Sequence, residues 1–444
     1  MSLMPNPTFR HPILILSPRA LLASLVSFEA LMVLYMFAGV YKADPRFAWV
    51  PVDPTGLFFV LSVLVGSFII VLNPIHKKGL PVVFAMLCLV VWFMVSLLWS
   101  PSRLYGPDKV FLMETLALWA VIAGAVIIAP DPERLRRLFT LLLLLSLWVA
   151  VEAVLIYAET GGQLRRVALE SGSYLNMGRV CGLGALVALV AWLSGGQRVV
   201  RWLCLLLFVG FGFALAIGGG RGPLVATALP LLISVVIGVR LTRRKILYSP
   251  AQLSVLVLLL IVAGGLTLYG EVTEQRLGTL ERLYELTEGD FGTAATRARY
   301  YAKAGELWSE APLLGHGTGS WPLLTGSADA PHYPHNVFAE LLVEGGAVAL
   351  VLFLMLLGVA IRPVTLERLR QDPQALCAMM LFANTFLNAM MSGDLPGNRA
   401  MFLMIGMLAL FALRPVRATT PAQAPTFPNP SGRRYADGVA QHLR

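Results

Sequence analysis

Charge is scarce in this chain. Of its 444 residues 14% are Asp, Glu, Lys or Arg and 57% are hydrophobic, whereas soluble domains carry about 25% charged residues. A soluble fold of this composition would need an enormous core with almost no polar surface, and is excluded. Cysteine is scarce as well. Cys88, Cys181, Cys204 and Cys377 all lie in or beside apolar blocks. None has the Cys-x-x-Cys or Cys/His spacing of a metal site, so neither a disulfide framework nor structural zinc is expected. No Asp-x-Asp pair occurs; Asp131-Pro132-Glu133 comes nearest. The formal charge of +10 is dispersed over short segments, with no basic stripe interleaved with aromatics, so nucleic acid is not an expected partner. Residues 1–19 lack the apolar stretch and small-residue cleavage site of a signal peptide, so the first span is expected to stay. No repeat of fixed period is visible.

What the chain has is apolar blocks, each long enough to cross a hydrocarbon core of roughly 30 Å. They fall at 20–41, 56–73, 80–99, 112–129, 137–157, 178–195, 199–217, 222–239, 250–270, 336–361, 374–392 and 399–414. The predicted fold is an all-α polytopic membrane protein of about twelve transmembrane helices, its membrane domain covering 1–414. Lys and Arg are richer on the side that holds both termini, which includes Lys77, Lys78, Arg134, Arg136, Arg137, Arg243, Arg244 and Lys245. By the positive-inside rule both termini are cytoplasmic. Residues 415–444, rich in Pro, Ala and Thr, read as a disordered cytoplasmic tail. The opposite side has two long segments, 158–177 and 271–335. The second is too long for a turn and is expected to fold onto the outer face with a helical pattern at 294–310. Function is sought there.

Four elements on that side can carry chemistry. Gly218-Gly219-Gly220-Arg221-Gly222-Pro223 precedes the eighth span. A helix start with a guanidinium beside it suits a phosphate-like anion, though the run is no nucleotide P-loop, and the alternative is a tight turn with an interfacial anchor. In the helix from Thr293 to Glu310, helical periodicity puts Tyr300, Tyr301, Ala304, Leu307 and Trp308 on one face, and Arg299, Lys303, Glu306 and Glu310 on the other. Arg297 projects among the aromatics and needs either a bound anion or a carboxylate such as Asp394 or Glu344. Pro331-His332-Tyr333-Pro334-His335-Asn336 runs into the tenth span. Asn336 reads as an N-cap, which places His335 at a positive helix end where the neutral imidazole of a general base is favoured, unless the histidine is only structural. The turn Ser392 to Arg399 adds Asp394, which can pair with other charges or position a substrate. Arg165, Arg166 and Arg179 flank the 158–177 segment as anchors or ligands. Within the membrane, Glu29 and Glu152 must face protein or water, and structural pairing is expected before proton relay.

Pro312-Leu313-Leu314-Gly315-His316-Gly317-Thr318-Gly319, His335-Asn336 and Glu344-Gly345-Gly346 together resemble the O-antigen ligase and polymerase superfamily. Its pattern sets an Arg fifteen residues before the Pro-Leu-Leu-Gly element, the place of Arg297, and a glycine-flanked Arg at an outer helix start, the place of Arg221. His335, Asn336 and Gly346 meet its His-Asn and glycine spacing; a further glycine is replaced by Ala349. The resemblance implies a glycosyltransferase of the bacterial inner membrane, working on the periplasmic face. Its donor would be a glycan on undecaprenyl diphosphate and its acceptor, in the ligase branch, a sugar hydroxyl of lipid A–core. It implies catalysis by His335 and diphosphate binding by Arg221 and Arg297. Asn336, His332, Asp394, Arg166, Arg179 and Tyr301 stand as supporting residues. No cofactor is expected. With Asp-x-Asp missing, guanidiniums rather than a metal would meet the leaving charge. A single displacement of this kind inverts the anomeric centre.

The nearest alternatives are a polymerase, whose acceptor is a second lipid-linked glycan, and a protein O-oligosaccharyltransferase. A secondary transporter would also have about twelve spans. It should show inverted repeats and helices broken near the midplane, neither of which is clear here.

Overall fold

The computed structural model describes residues 2–3, 13–170, 172–241, 246–248, 250–288 and 292–413. The tail expected at 415–444 lies outside them. The described chain is helical apart from three strands of two or three residues, Ser2–Leu3, Val239–Leu241 and Ile246–Tyr248. The protein is an all-α polytopic membrane protein.

Among the described residues nine helices are long and apolar enough to cross a membrane, from Pro54–Leu72 to Pro396–Leu413. A tenth candidate is the pair Pro18–Leu25 and Phe28–Met36, bent by 57°. The bend falls where the Ser27 side chain accepts from the Ala30 amide and caps a new helix, so the apolar run at 20–41 is not one straight rod. The other two of the twelve predicted spans are helices too, Arg221–Ile237 and Pro373–Ala389, of 17 residues each. At 1.5 Å per residue they reach roughly 25 Å, just short of the core thickness.

Small residues let these helices pack where two apolar surfaces have little hydrophobic reason to associate in lipid. Gly124 and Gly406 sit back to back. A Cβ on Gly124 would come within 2.5 Å of the Leu403 carbonyl, and one on Gly406 within 2.5 Å of the Val121 carbonyl. The helix Leu253–Thr273 lies at the rim, with Val257, Leu260, Ile261 and Leu268 exposed as lipid-facing residues would be.

The two carboxylates expected within the membrane, Glu29 and Glu152, are paired. Glu29 meets Arg134 at 2.8 Å and Arg137 at 4.0 Å. Glu152 meets Arg46, which also holds Asp44 at 2.5 Å. The pairing expected for both carboxylates is what the structure has.

The helix Val337–Ile361 carries the decisive irregularity. At Gly346 its backbone leaves helical geometry, at φ 66° and ψ −164°, and the loop Pro312–Gly317 fills the break. His316 and Gly317 donate to the carbonyls of Val343 and Glu344 at 2.8 and 2.9 Å. The amides of Ala347 and Val348 donate to Pro312 and Leu313 at 2.9 and 3.3 Å. The Trp92 indole takes the Gly345 carbonyl at 2.9 Å. The break thus exchanges bonds within the helix for bonds to the loop and to Trp92, as hydrocarbon demands. Within 271–335 the described residues form three helices: Gly278–Thr287, which packs on Arg198–Ile217 and Arg221–Ile237, and Gly292–Glu310 and the single turn Trp321–Leu324, which pack on Val337–Ile361.

Gly346→Ala is expected to lower the thermal midpoint strongly, because its φ is positive and a Cβ would collide with the Leu313 carbonyl. Gly305→Ala, in an open stretch of the Gly292–Glu310 helix with nothing near its Cβ, should leave the midpoint unchanged or raise stability by up to about 1 kcal/mol. Thermal unfolding of the two purified variants checks the opposed signs.

Candidate functional site

The loop 325–336 ends in a helix cap. Asn336 Oδ1 accepts from the amides of Phe338 and Ala339 at 2.9 and 3.2 Å, and Nδ2 donates to the Met390 carbonyl at 3.3 Å. Just before it, His335 stands at φ 60°, a left-handed conformation that costs a non-glycine residue about 1–3 kcal/mol and concentrates at functional sites. The imidazole stacks on Tyr300, centroids 6.1 Å apart and planes 11° from parallel, and meets Tyr333 edge-on at 4.8 Å. Its Nδ1 is buried without a hydrogen-bond partner among the described residues. Burial pushes the pKa of His335 below the ordinary imidazole value, and Arg297, His332 and Arg179 push it further down. Solvent exclusion and three basic neighbours therefore favour the neutral ring.

The Gly292–Glu310 helix faces the site as its periodicity predicts, with one shift. Ala304 and Leu307 are buried against Trp321 and Val343, with Tyr300 packed beside them. Tyr301 and Trp308 lie at the edge and are exposed. Tyr300, not Tyr301, is the tyrosine at the histidines; its hydroxyl lies 3.3 Å from His332 Nε2. The helix simply turns slightly more toward Tyr300 than an ideal wheel suggests. On the outer face Lys303 pairs with Glu306 at 3.1 Å, and exposed Arg299 donates to the Thr296 hydroxyl at 3.3 Å. Arg297 is half-buried. The carboxylates suggested for it are engaged elsewhere. Asp394 accepts from the Tyr105 hydroxyl and the Gly397 amide, both at 2.9 Å, and Glu344 binds Lys109 at 2.7 Å.

Arg221 belongs to a second cluster. It donates to the Arg282 carbonyl at 2.9 Å, while Arg282 donates to the Gly219 carbonyl at 2.5 Å. This reciprocal clasp locks the Gly278–Thr287 helix to the glycine turn. Arg282 and Arg166 lie over the Tyr174 ring, 5.9 and 5.1 Å from its centroid, and Arg165 pairs with Glu285. Tyr174 and Arg179 begin the same helix, Tyr174–Leu193, separated by five residues or roughly 8 Å of rise. Arg179 donates to the Ser392 carbonyl at 2.8 Å and acts on His335. That helix thus joins the Arg221 cluster to the histidine cluster.

Sequence reasoning missed two groups. Arg282 is buried, and its signal is faint, one arginine in an otherwise amphipathic helix. The second is Lys109, fully buried and held by Glu340 at 2.5 Å and Glu344 at 2.7 Å. Glu340 also accepts from the Leu395 amide at 3.1 Å, so one cation ties the Tyr105–Ile128 span, the His335 helix and the Asp394 turn together. A carboxylate at each of two successive turns of an apolar helix was the available hint. Asp329 is a structural clamp, accepting from Ser102 and from the amides of Arg103, Leu104 and Tyr105 at 2.6 to 3.2 Å.

The assembled end of the bundle is rich in guanidiniums and carries one neutral, strained imidazole. Such an arrangement can hold a polyanion and accept a proton beside it. Residues 202–354, which include Arg221, Arg282, Arg297 and His335, match the family model described as O-Antigen ligase. No curated protein matches the chain.

In a histidine-labelled sample, His335 is expected to titrate below the ordinary imidazole range. Arg297→Gln should move that titration upward, since a neighbouring cation is gone; an unmoved titration would show that Arg297 does not face the ring. Lys109→Met should destabilise the protein by about 3–5 kcal/mol, because it strands two buried carboxylates. Loss of folded yield or a lowered thermal midpoint reports it.

Proposed function

With residues 202–354 assigned to the O-antigen ligase family, we propose that this protein transfers a glycan from undecaprenyl diphosphate to a sugar hydroxyl of lipid A–core. The family implies ligase- or polymerase-type glycosyl transfer on lipid-linked glycans; the donor, the acceptor and the face are our reading. The observation that carries it is the unpartnered, neutral His335 with Arg297 and Arg179 around it.

In this reading the acceptor hydroxyl attacks the anomeric carbon of the donor sugar. The new C–O bond forms as the bond to the diphosphate breaks, and the hydroxyl proton passes to His335. The electron pair leaves on the diphosphate, whose growing charge Arg297 and Arg221 offset in a water-poor site. One displacement inverts the anomeric centre. Asn336 positions the imidazole through the helix cap, and His332 braces it through Tyr300. Asp394 acts through Tyr105 and the 392–398 turn rather than on substrate, and Arg166 supports the Arg221 cluster over Tyr174. Tyr301, at the exposed edge, is assigned no step. In this reading the loop end of the bundle faces the periplasm and both termini face the cytoplasm, the orientation that the distribution of Lys and Arg favours. The proposed location is the bacterial inner membrane.

Purified protein given lipid-linked glycan, with lipid A–core, a second lipid-linked glycan or a pilin-like protein as acceptor, should glycosylate lipid A–core and do so in excess EDTA. Chain extension of the lipid-linked glycan instead identifies a polymerase. At matched expression Arg297→Ala is expected to lower transfer on the order of a hundredfold or more. Exposed Arg299→Ala should keep most of it, because a solvated arginine contributes about 0–1 kcal/mol. The reverse ranking refutes the assigned facing of this helix.

A further inference from the structure

Beside the histidine cluster the bundle holds a partly open cavity of about 110 Å³. Arg179 and Arg399 line it with Thr385 and the amides of Asn176, Asn384, Asn388 and Asn398, and no Asp or Glu is among the lining residues. At about 30 Å³ per water the space is equivalent to three or four waters, enough for a small polar group.

The two arginines are incompletely satisfied. Arg179 donates to the Ser392 carbonyl at 2.8 Å, and Arg399 donates through Nε to the Met36 carbonyl at 3.2 Å with its guanidinium over Tyr35. Neither forms an ion pair among the described residues, and the Asn176 amide makes no side-chain hydrogen bond there. Two guanidiniums facing a shared cavity inside a membrane bundle, with no carboxylate in its lining, favour a bound anion there. A carboxylate would offset one of the two charges. A phosphoryl group, at about −1.5 to −2, offsets both and fits the guanidinium fork. Arg221 and Arg297 do not line this cavity, so the donor diphosphate proposed for them is a different ligand. Arg179 does line it, and also acts on His335, which places a cavity ligand next to the proton acceptor.

We propose that this cavity is a phosphoryl site for the acceptor glycan, with Arg179 and Arg399 as its cationic walls. The assignment to an acceptor rests on the transferase reading; the anion site itself does not.

Inorganic phosphate, at constant ionic strength, should raise the thermal midpoint of the wild-type protein in detergent. It should do the same for Arg299→Gln, but not for Arg399→Gln or for Asn176→Asp, which puts a carboxylate into the cavity with little change of shape. Equal stabilisation of all four proteins overturns the site. With wild-type protein, lipid A–core stripped of its core phosphates should show an acceptor KM raised tenfold or more, with the donor KM unchanged. An unchanged acceptor KM overturns the acceptor assignment, as does an Arg399→Gln effect confined to the donor KM, which would mark a donor diphosphate site. If no acceptor is glycosylated while the phosphate response still requires Arg399, the transferase reading and its acceptor fall and the anion site is upheld.

Discussion

A helix that crosses hydrocarbon must satisfy its own backbone, and the Val337–Ile361 helix does so at Gly346 only by taking partners from Pro312–Gly317. The exchange is mutual. The loop's amides and carbonyls would also be stranded without the break, so neither segment can hold its conformation alone. Because the loop 271–335 is pinned there, its helices have a fixed base, and the chain must return to the cap at Asn336 within a short span. His335 occupies the last residue of that return and takes the left-handed conformation the path demands.

One turn and two turns beyond the cap, Glu340 and Glu344 turn inward to Lys109. A buried ion cluster of this kind is an uncertain source of stability, since desolvation offsets most of the attraction. Its value is directional. A hydrophobic replacement would let the helix rotate or slide against the Tyr105–Ile128 span, whereas a lysine held by two carboxylates, one of which also accepts from the Leu395 amide, permits one register. That register also fixes the Asp394 turn, whose Ser392 carbonyl holds Arg179. Both the imidazole and the cations around it are therefore placed by elements that do not touch them.

Much of this was legible in the sequence because its causes are local. Apolar runs mark the spans, periodicity separates Arg297 from Arg299, and Asn before Val337 marks a cap. The twelve predicted spans all appear as helices, although Ser27 bends the first and the spans at 222–239 and 374–392 are short. What escaped depends on meetings far apart in the chain. Lys109 lies 235 residues from Glu344, and nothing in its neighbourhood announces two carboxylate partners. Arg282 closes on Gly219 across two spans. Tyr300 rather than Tyr301 faces the histidines through a small helix rotation that residue types cannot decide, since both are tyrosines. The Pro-Leu-Leu-Gly and Glu-Gly-Gly elements read as two motifs; in space they are two halves of one junction.

The same construction explains why so many guanidiniums can gather at one end. Like charges repel, and a bundle that placed Arg297, Arg179, Arg221 and Arg282 freely would turn them outward to water. Here each that is buried is held by something other than a carboxylate: Arg282 by a glycine carbonyl and an aromatic face, Arg179 by the Ser392 carbonyl, Arg399 by the Met36 carbonyl and Tyr35. Backbone dipoles and ring quadrupoles orient a cation without cancelling its charge. An ion pair would orient it equally well and leave it inert toward an anion. Partners of that weaker kind keep the positive potential available, and the folded scaffold bears the cost before any ligand arrives.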